Sequence, residues 1–438
     1  MSESVKPFIN RALRSSVGRN ALSLYSIQFA NYLLPLITVP YLVRVLGAER
    51  FGTLAFGQGL MAYFSAIVSY GFDWSATRKI SVERNKVEVV SRVVANVWGA
   101  KFLLCILSFL TLLLLIELVP RVGEVSTLMV VLFGGVFGTV LFPTWLFQGL
   151  ERMGPISWIN LSVRSLVVVA MLFVVRKPQD FIVYAGLSSS GTIVAGLLGA
   201  GIAFRSLGLR FIWPTWSGIL ESFREGWVLF LSSSAIVLYT AGNAFILGLM
   251  ANDVVVGYYT AGEKIIRAGV NLLGPLSQAL FPRFSRLAQE SKSAALLWAR
   301  KLLLVMGGSA LALSALMFFG AELIVRVVLG TSYQPSVSVV RILALLPFLI
   351  AISGVLGVQL MIPFGRERAI LFVVLGAGCL NVALAGFLAP IWRADGMATA
   401  VLLAEVFTTA GYYAYLWRAG LNPFQKKRVS TRANERSA

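Results

Sequence analysis

Long apolar runs recur along the whole chain, and they constrain its fold more than any other feature. Each run has roughly 18 to 25 residues, enough for a helix to cross the hydrocarbon core of a bilayer. Of the 438 residues, 58% are hydrophobic and only 13% are charged, about half the charged share of a soluble domain. The sequence therefore predicts an all-α, polytopic membrane protein.

The links between these runs predict about twelve transmembrane helices. Lysine and arginine lie mostly in alternate links, the set that includes both termini, so the positive-inside rule places both ends in the cytoplasm. The predicted regions are a cytoplasmic segment 1–20, a six-helix lobe 21–204, a cytoplasmic linker 205–226, a second six-helix lobe 227–417 and a basic cytoplasmic tail 418–438. The predicted spans are 21–43, 51–71, 94–118, 127–148, 156–175, 181–204, 227–250, 257–280, 298–319, 338–362, 369–389 and 396–417.

Several function classes are disfavoured by composition. The net charge of +19 reflects basic links between spans, so we expect membrane lipids rather than nucleic acid as its partner. Histidine is absent, and both cysteines lie within apolar runs, so no metal site, disulfide or bound cofactor is expected. No phosphate-binding loop of the ATPase type occurs either. We expect no catalytic residues: the function must reside among the helices.

A short internal repeat relates the two halves. FGTLAFGQG at 51–59 and VGYYTAGEK at 256–264 align Gly52 with Gly257, Gly57 with Gly262 and Gln58 with Glu263. Both segments open an inward-running span, the second and the eighth. The pattern indicates a six-plus-six duplication about an axis along the membrane normal.

The eighth span carries three charges near its middle: Glu263, Lys264 and Arg267. On the insertion scale they cost about 3 kcal/mol each, whereas the apolar residues of the span return only about 3 to 4 kcal/mol in total. The charged face must therefore meet protein or water rather than lipid. One helical stripe contains Thr260, Glu263, Arg267, Asn271, Gly274 and Gln278.

Two interpretations of this stripe stay open. Glu263 and Arg267 stand four residues apart, so they can form an ion pair with a purely structural role. Lys264 has no such partner in its own helix, which favours a hydrated site that binds a ligand.

Other spans add cations and amides. The surplus of positive charge predicts a cavity that attracts phosphate or carboxylate groups, for which arginine offers a planar fork of donors. Lys101 and Arg164 could instead extend to the cytoplasmic interface and Arg341 to the outer one, and the amides could simply hold helices together. The predicted cationic cavity consists of Lys101, Arg164, Lys264, Arg267 and Arg341. The predicted polar lining consists of Gln28, Asn31, Gln58, Asn271 and Gln278.

Four segments resemble the bacterial polysaccharide-unit flippases of the O-antigen type. These flippases belong to the multidrug/oligosaccharidyl-lipid/polysaccharide exporter superfamily. The segments are NYLLPLITVPYLVRVLGAERFGTLAFGQ (31–58), YGFDWSATRKIS (70–81), FPTWLFQGLERM (142–153) and GYYTAGEKIIRA (257–268).

The resemblance implies two six-helix lobes related by a pseudo-two-fold axis, with a V-shaped central cavity that opens alternately to each side of the inner membrane. It implies a substrate in which an oligosaccharide is linked through diphosphate to a polyprenyl carrier, and partners that polymerise the glycan and set its chain length. It also implies coupling to H⁺ or Na⁺, for which Glu263 and Glu405 are the candidate carboxylates. Lys264 and Arg267 would hinder protonation of Glu263.

Two alternatives remain. A multidrug antiporter of the same superfamily would need an acidic or apolar cavity. A membrane polysaccharide polymerase or ligase has similar hydropathy but carries a large outward loop with catalytic residues, which this sequence does not predict.

Overall fold

The chain forms long helices joined by short turns. The computed structural model describes the backbone of residues 16–424, and within that range it describes side chains except at 16–33, 232, 238, 274–283, 285 and 289. Helices, turns and short irregular links account for the described backbone, and none of it is β-strand. The predicted all-α fold class is confirmed.

The first half of the chain contains six predicted spans, and helices cover all of them. The fourth span is divided at Phe142 and Pro143, where the backbone leaves helical geometry for two residues. A 3₁₀ turn at Pro178–Asp180 leads into the sixth span. The helices are α1 (Ser16–Ser69), α2 (Phe72–Glu83), α3 (Val87–Leu118), α4 (Pro120–Gly123), α5 (Ser126–Leu141), α6 (Thr144–Gly149), α7 (Met153–Val174) and α8 (Phe181–Ser206).

The second half repeats this plan. Its first helix begins at Trp216, so it extends into the segment 205–226 that the sequence assigned to a linker. A seven-residue π-helix, Val355–Met361, completes the tenth span. The helices are α9 (Trp216–Tyr239), α10 (Asn243–Gly248), α11 (Asp253–Glu290), α12 (Lys292–Phe319), α13 (Ala321–Val328), α14 (Ser336–Leu343), α15 (Leu346–Gly354) and α16 (Glu367–Arg418).

Two of these helices each contain two predicted spans. α1 is interrupted by a kink at Gly47 (φ 71°, ψ 172°), and α16 is interrupted by a kink at Arg393 (φ 53°, ψ −122°). Both positions fall where the sequence predicts a link. Within the described residues, eight segments are long and apolar enough to cross a membrane by length and composition. The chain is a multi-pass membrane protein.

The repeat glycines pack against each other at one end of the bundle, here called the Gly47 end. A Cβ atom on Gly52 would lie 1.8 Å from the carbonyl oxygen of Asp253, and one on Gly257 would lie 2.0 Å from that of Ala48. Since real Cβ atoms do not approach so closely, only glycine lets α1 and α11 meet here. The duplication therefore places matching residues at the contact between the lobes.

Polar contacts join the lobes at the same end. Asp253, in the first turn of α11, accepts hydrogen bonds from Thr53 Oγ1 at 2.7 Å and from Arg121. Tyr333 donates its hydroxyl to the carbonyl oxygen of Val43 at 3.2 Å. Phe56 and Phe245 stack with ring centroids 5.1 Å apart. The Gly47 end is closed by this combination of close packing and charge.

We expect Gly257→Ala to weaken this contact, because the added methyl group meets backbone that cannot rotate away. The expected loss is about 1–3 kcal/mol of stability, seen as a lower melting temperature of the purified protein in detergent. Gly386→Ala is the matched control, since a Cβ there meets nothing within 4 Å. Equal melting temperatures for the two variants would contradict the packing described here.

Candidate functional site

A cavity of about 600 Å³ lies among the helices of the first lobe. Its walls come from α1, α3, α5, α7 and α8, with the start of α2 and the α5–α6 junction. Among the described lining residues, Lys264 of α11 alone comes from the second lobe. A cavity of this size can hold the head of a small ligand, and its position lets one side chain of the second lobe contact what the first lobe binds.

The periodicity of α7 explains how one helix faces both the cavity and lipid. Its lining residues recur every three or four positions, as expected for one helical face. Leu166 and Phe173, on another face, are each 68% exposed and suit contact with acyl chains. The lining residues on α7 are Asn160, Val163, Arg164, Val167, Val168 and Met171.

The α8 wall follows the same rule and supplies neutral polar groups. Ser188 and Thr192 lie one turn apart, and Tyr184 lies one turn before Ser188. Hydroxyl groups both donate and accept hydrogen bonds, so they suit sugar hydroxyls as well as phosphate oxygens. Gly191 and Ala195 also line the cavity, and their small size leaves space for a ligand beside this wall.

Three cations and one carboxylate meet at the cavity. Lys101, Arg164 and Lys264 line it together with Asp73. The Lys101 ammonium lies 3.7 Å from a carboxylate oxygen of Asp73, with the lysine side chain 3% exposed and the aspartate 47% exposed. The residual charge of the described lining is positive, so the cavity attracts anions.

The position of Lys101 differs from the alternative in which its side chain extends to the cytoplasmic interface. Its side chain turns into the bundle and pairs with Asp73, which stands in the first turn of α2. Asp73 lies just after the predicted second span, 51–71, and sequence reasoning did not associate it with Lys101. The contact is not visible in sequence because 27 residues lie between the two positions.

Glu263 and Arg267 form the ion pair that their spacing allows. Arg267 donates from Nε at 2.9 Å and approaches the same carboxylate oxygen with Nη2 at 2.7 Å. The Glu263 side chain is 10% exposed and that of Arg267 is 42% exposed. Lys264 directly follows Glu263, so its side chain lies about 100° from that of Glu263 around the helix. It lines the cavity instead. The ion pair of the first interpretation is present, and Lys264 lies apart from it at the cavity.

A buried polar cluster lies in the second lobe. Asn381 donates to Asn243 at 2.7 Å, and both residues are fully buried. Glu405 accepts a hydrogen bond from Ser353 Oγ at 2.8 Å. Sequence reasoning missed both asparagines and Ser353. Their signal was a polar residue in an apolar span, which is costly in a membrane, but nothing in sequence shows that they meet.

The remaining predicted residues lie elsewhere or outside the described side chains. Arg341 is exposed on α14 and does not line this cavity. Gln58 is partly buried and Asn271 is exposed, and neither lines it. The side chains of Gln28, Asn31 and Gln278 lie outside the described set.

One known protein family matches more than half of the chain. Residues 17–288 match the family model described as "Polysaccharide biosynthesis protein". The chain belongs to this family. A curated relative from Escherichia coli (strain K12), named "Putative O-antigen transporter", is 31% identical over 398 residues, which cover 90% of this chain and 95% of the relative.

Solved structures share the fold of this family member. The lipid II flippase MurJ in an inward closed conformation aligns with a TM-score of 0.74 at 9% identity, over 92% of this chain and 87% of MurJ. An inward-facing multidrug resistance MATE family transporter of the MOP superfamily aligns with a TM-score of 0.69 at 15% identity, over 89% of this chain and 95% of that one. The two-lobe architecture of these structures is confirmed for this chain.

We expect the Glu263–Arg267 pair to be a structural unit. Glu263→Gln alone should lower stability by about 1 kcal/mol, because it leaves a half-buried guanidinium without its charged partner. The double variant Glu263→Gln/Arg267→Gln should recover part of this loss, as a double-mutant cycle of melting temperatures would show. Strictly additive effects of the two substitutions would contradict the pairing.

Proposed function

We propose that the protein translocates oligosaccharide units, linked through diphosphate to a polyprenyl carrier, from the cytoplasmic to the periplasmic leaflet of the inner membrane. The observation that carries this proposal is the cluster of Lys101, Arg164 and Lys264 in a cavity that also offers hydroxyl and amide groups. The family and the name of its Escherichia coli relative support a role in polysaccharide assembly.

The chemistry of the cavity suits the head of such a substrate. Diphosphate oxygens would accept hydrogen bonds from the ammonium and guanidinium groups, which are stronger than neutral hydrogen bonds. Asn160, Ser188 and Thr192 would hydrogen-bond sugar hydroxyls. The prenyl chain would remain against the apolar exterior of helices such as α7, so its transfer from lipid would not be required.

Alternating access would proceed by movement of one lobe against the other around this cavity. The positive-inside bias assigns the Gly47 end to the periplasm and both termini to the cytoplasm. Opening to the periplasm would then separate α1 from α11 and break the contacts of Asp253 with Thr53 and Arg121. The released glycan would pass to the proteins that polymerise it and set its length.

A cavity lined by three cations disfavours export of cationic drugs, because like charges repel. The positive charge of the cavity therefore favours the flippase over the multidrug antiporter.

We expect Lys264→Ala to reduce surface polysaccharide about tenfold in cells that depend on this protein, since one charge-assisted contact to the head group is lost. Insertion should be unaffected or improved, because a charge leaves the span. The measurement is glycan output at matched protein level. Arg341→Ala is the control, since Arg341 lies outside the cavity. Equal output from both variants would remove Lys264 from the binding site.

The structure favours Glu405 over Glu263 as the carboxylate that couples transport to an ion gradient. Glu263 is tightly paired with Arg267, whereas Glu405 accepts a hydrogen bond from the hydroxyl of Ser353. A hydroxyl can donate to a carboxylate and accept from a carboxylic acid, so it tolerates both protonation states. We therefore propose H⁺ as the coupling ion and Glu405 as its site.

We expect Glu405→Gln to make transport in inverted vesicles independent of the proton gradient, because glutamine cannot exchange a proton. The measurement compares transport of a labelled lipid-linked sugar with the gradient intact and collapsed. Glu117→Gln, an exposed carboxylate on α3, is the control and should retain the dependence. Full gradient dependence in Glu405→Gln would show that Glu405 does not couple transport to the proton gradient.

A further inference from the structure

The short helix α2 touches both the cavity and the second lobe. Its first turn places Asp73 in the cavity wall, beside Lys101. Two turns later, Lys79 donates to Glu221 at 2.7 Å and to Glu225 at 3.0 Å, both on α9. One rigid element of about 18 Å therefore joins the cationic site to the first helix of the second lobe.

The bend before α2 packs closely against α9. Tyr70 and Gly71 both have positive φ, 44° and 75°. A Cβ on Gly71 would lie 2.6 Å from Leu229 Cβ, and one on Gly226 would lie 2.8 Å from the carbonyl oxygen of Tyr70. The Tyr70 ring stacks on Phe230 with centroids 4.5 Å apart and planes 14° apart. Movement at the start of α2 must therefore move α9 or separate from it.

Asp73 lies where it would compete with an anionic ligand for the Lys101 ammonium. Its carboxylate lies 3.7 Å from the Lys101 ammonium and is 47% exposed on the cavity side. A phosphate group that enters the cavity would meet the same ammonium. Lys101 is buried and Asp73 is half-exposed. An incoming phosphate group would itself pair with the buried ammonium, so it can displace the carboxylate without leaving that charge unpaired.

The contacts at the other end of α2 are weak because both partners are exposed. Lys79 is 36% exposed, and its partners Glu221 and Glu225 are 59% and 41% exposed. Contacts of this strength can separate when a ligand changes the balance between two arrangements of the lobes. The Lys79 end of α2 therefore has the strength required of a reversible connection rather than a permanent one.

We propose that Asp73 is a displaceable internal ligand of Lys101, and that its displacement by a diphosphate head group is transmitted through α2 to α9, releasing Lys79 from Glu221 and Glu225. The inference rests on the proposed function, because it takes the substrate to be anionic. It assigns Asp73 as a positioning residue, which acts on the substrate through Lys101, and α2 as the element by which the second lobe detects an occupied cavity.

The first experiment measures binding of farnesyl diphosphate, a short prenyl diphosphate, to the purified full chain in detergent by calorimetry. Asp73→Asn should bind it about threefold more tightly than the wild type, because the carboxylate that competes for Lys101 is removed. Glu83→Gln, which removes a carboxylate paired with Lys86 at the far end of α2, is the matched control and should bind as the wild type does. In a Lys101→Gln background the gain from Asp73→Asn should disappear.

The second experiment measures transmission. Spin labels at positions 81 and 224, both exposed on α2 and α9, report the distance between these helices in a chain with Cys105 and Cys379 replaced by serine. Farnesyl diphosphate should shift the distance distribution in the wild type, and Asp73→Asn should show the shifted distribution without ligand. A purely structural role of Asp73 at the helix start predicts neither change.

The outcomes separate this inference from the proposed function. If Asp73→Asn binds no more tightly while Lys101→Gln and Lys264→Ala lose binding, the displaceable ligand is refuted and the anionic site stands. If tighter binding occurs without a change of distance, transmission through α2 is refuted. If Lys101→Gln and Lys264→Ala bind farnesyl diphosphate as the wild type does, the proposed function fails together with this inference.

Discussion

The energetic cost of a charge inside the membrane is the constraint on which this structure depends. A span with Glu263, Lys264 and Arg267 cannot face lipid, so α11 must lie against the rest of the bundle. The structure divides the three charges: Glu263 and Arg267 neutralise each other, and Lys264 reaches a cavity formed almost wholly by the other lobe. One helix thereby stabilises its own lobe and contributes to a site shared by both.

The two ends of the bundle differ in the contacts that join the lobes. At the Gly47 end, glycines let backbone meet backbone, and Asp253 accepts hydrogen bonds from the opposite lobe. At the other end, aromatic stacking at Tyr70 and the exposed ion pairs of Lys79 join the lobes. Contacts that are closely packed yet not bonded into one core are compatible with the proposed function, in which the lobes separate on alternate sides.

Sequence reasoning predicted the spans well, because burying backbone in lipid requires helices of a fixed length. Even the two turns hidden inside α1 and α16 fall at predicted links. It was weaker on the site. Lys101, Arg164 and Lys264 were predicted together and do meet, whereas Arg341 does not join them, since a cation near a span end can reach solvent instead. Asp73, Asn243 and Asn381 were not identified as site or core partners.

The sequence by itself determined that the chain crosses a membrane many times, that its halves are related, and that α11 must hide its charges. These properties follow from local composition and periodicity, which act on each helix separately. Only the tertiary structure decided that the cavity belongs to the first lobe, that Lys101 pairs with Asp73, and that α2 connects this pair to α9. Such contacts join residues on different helices, and the rotation of each helix about its axis is set by packing against its neighbours, which no single segment encodes.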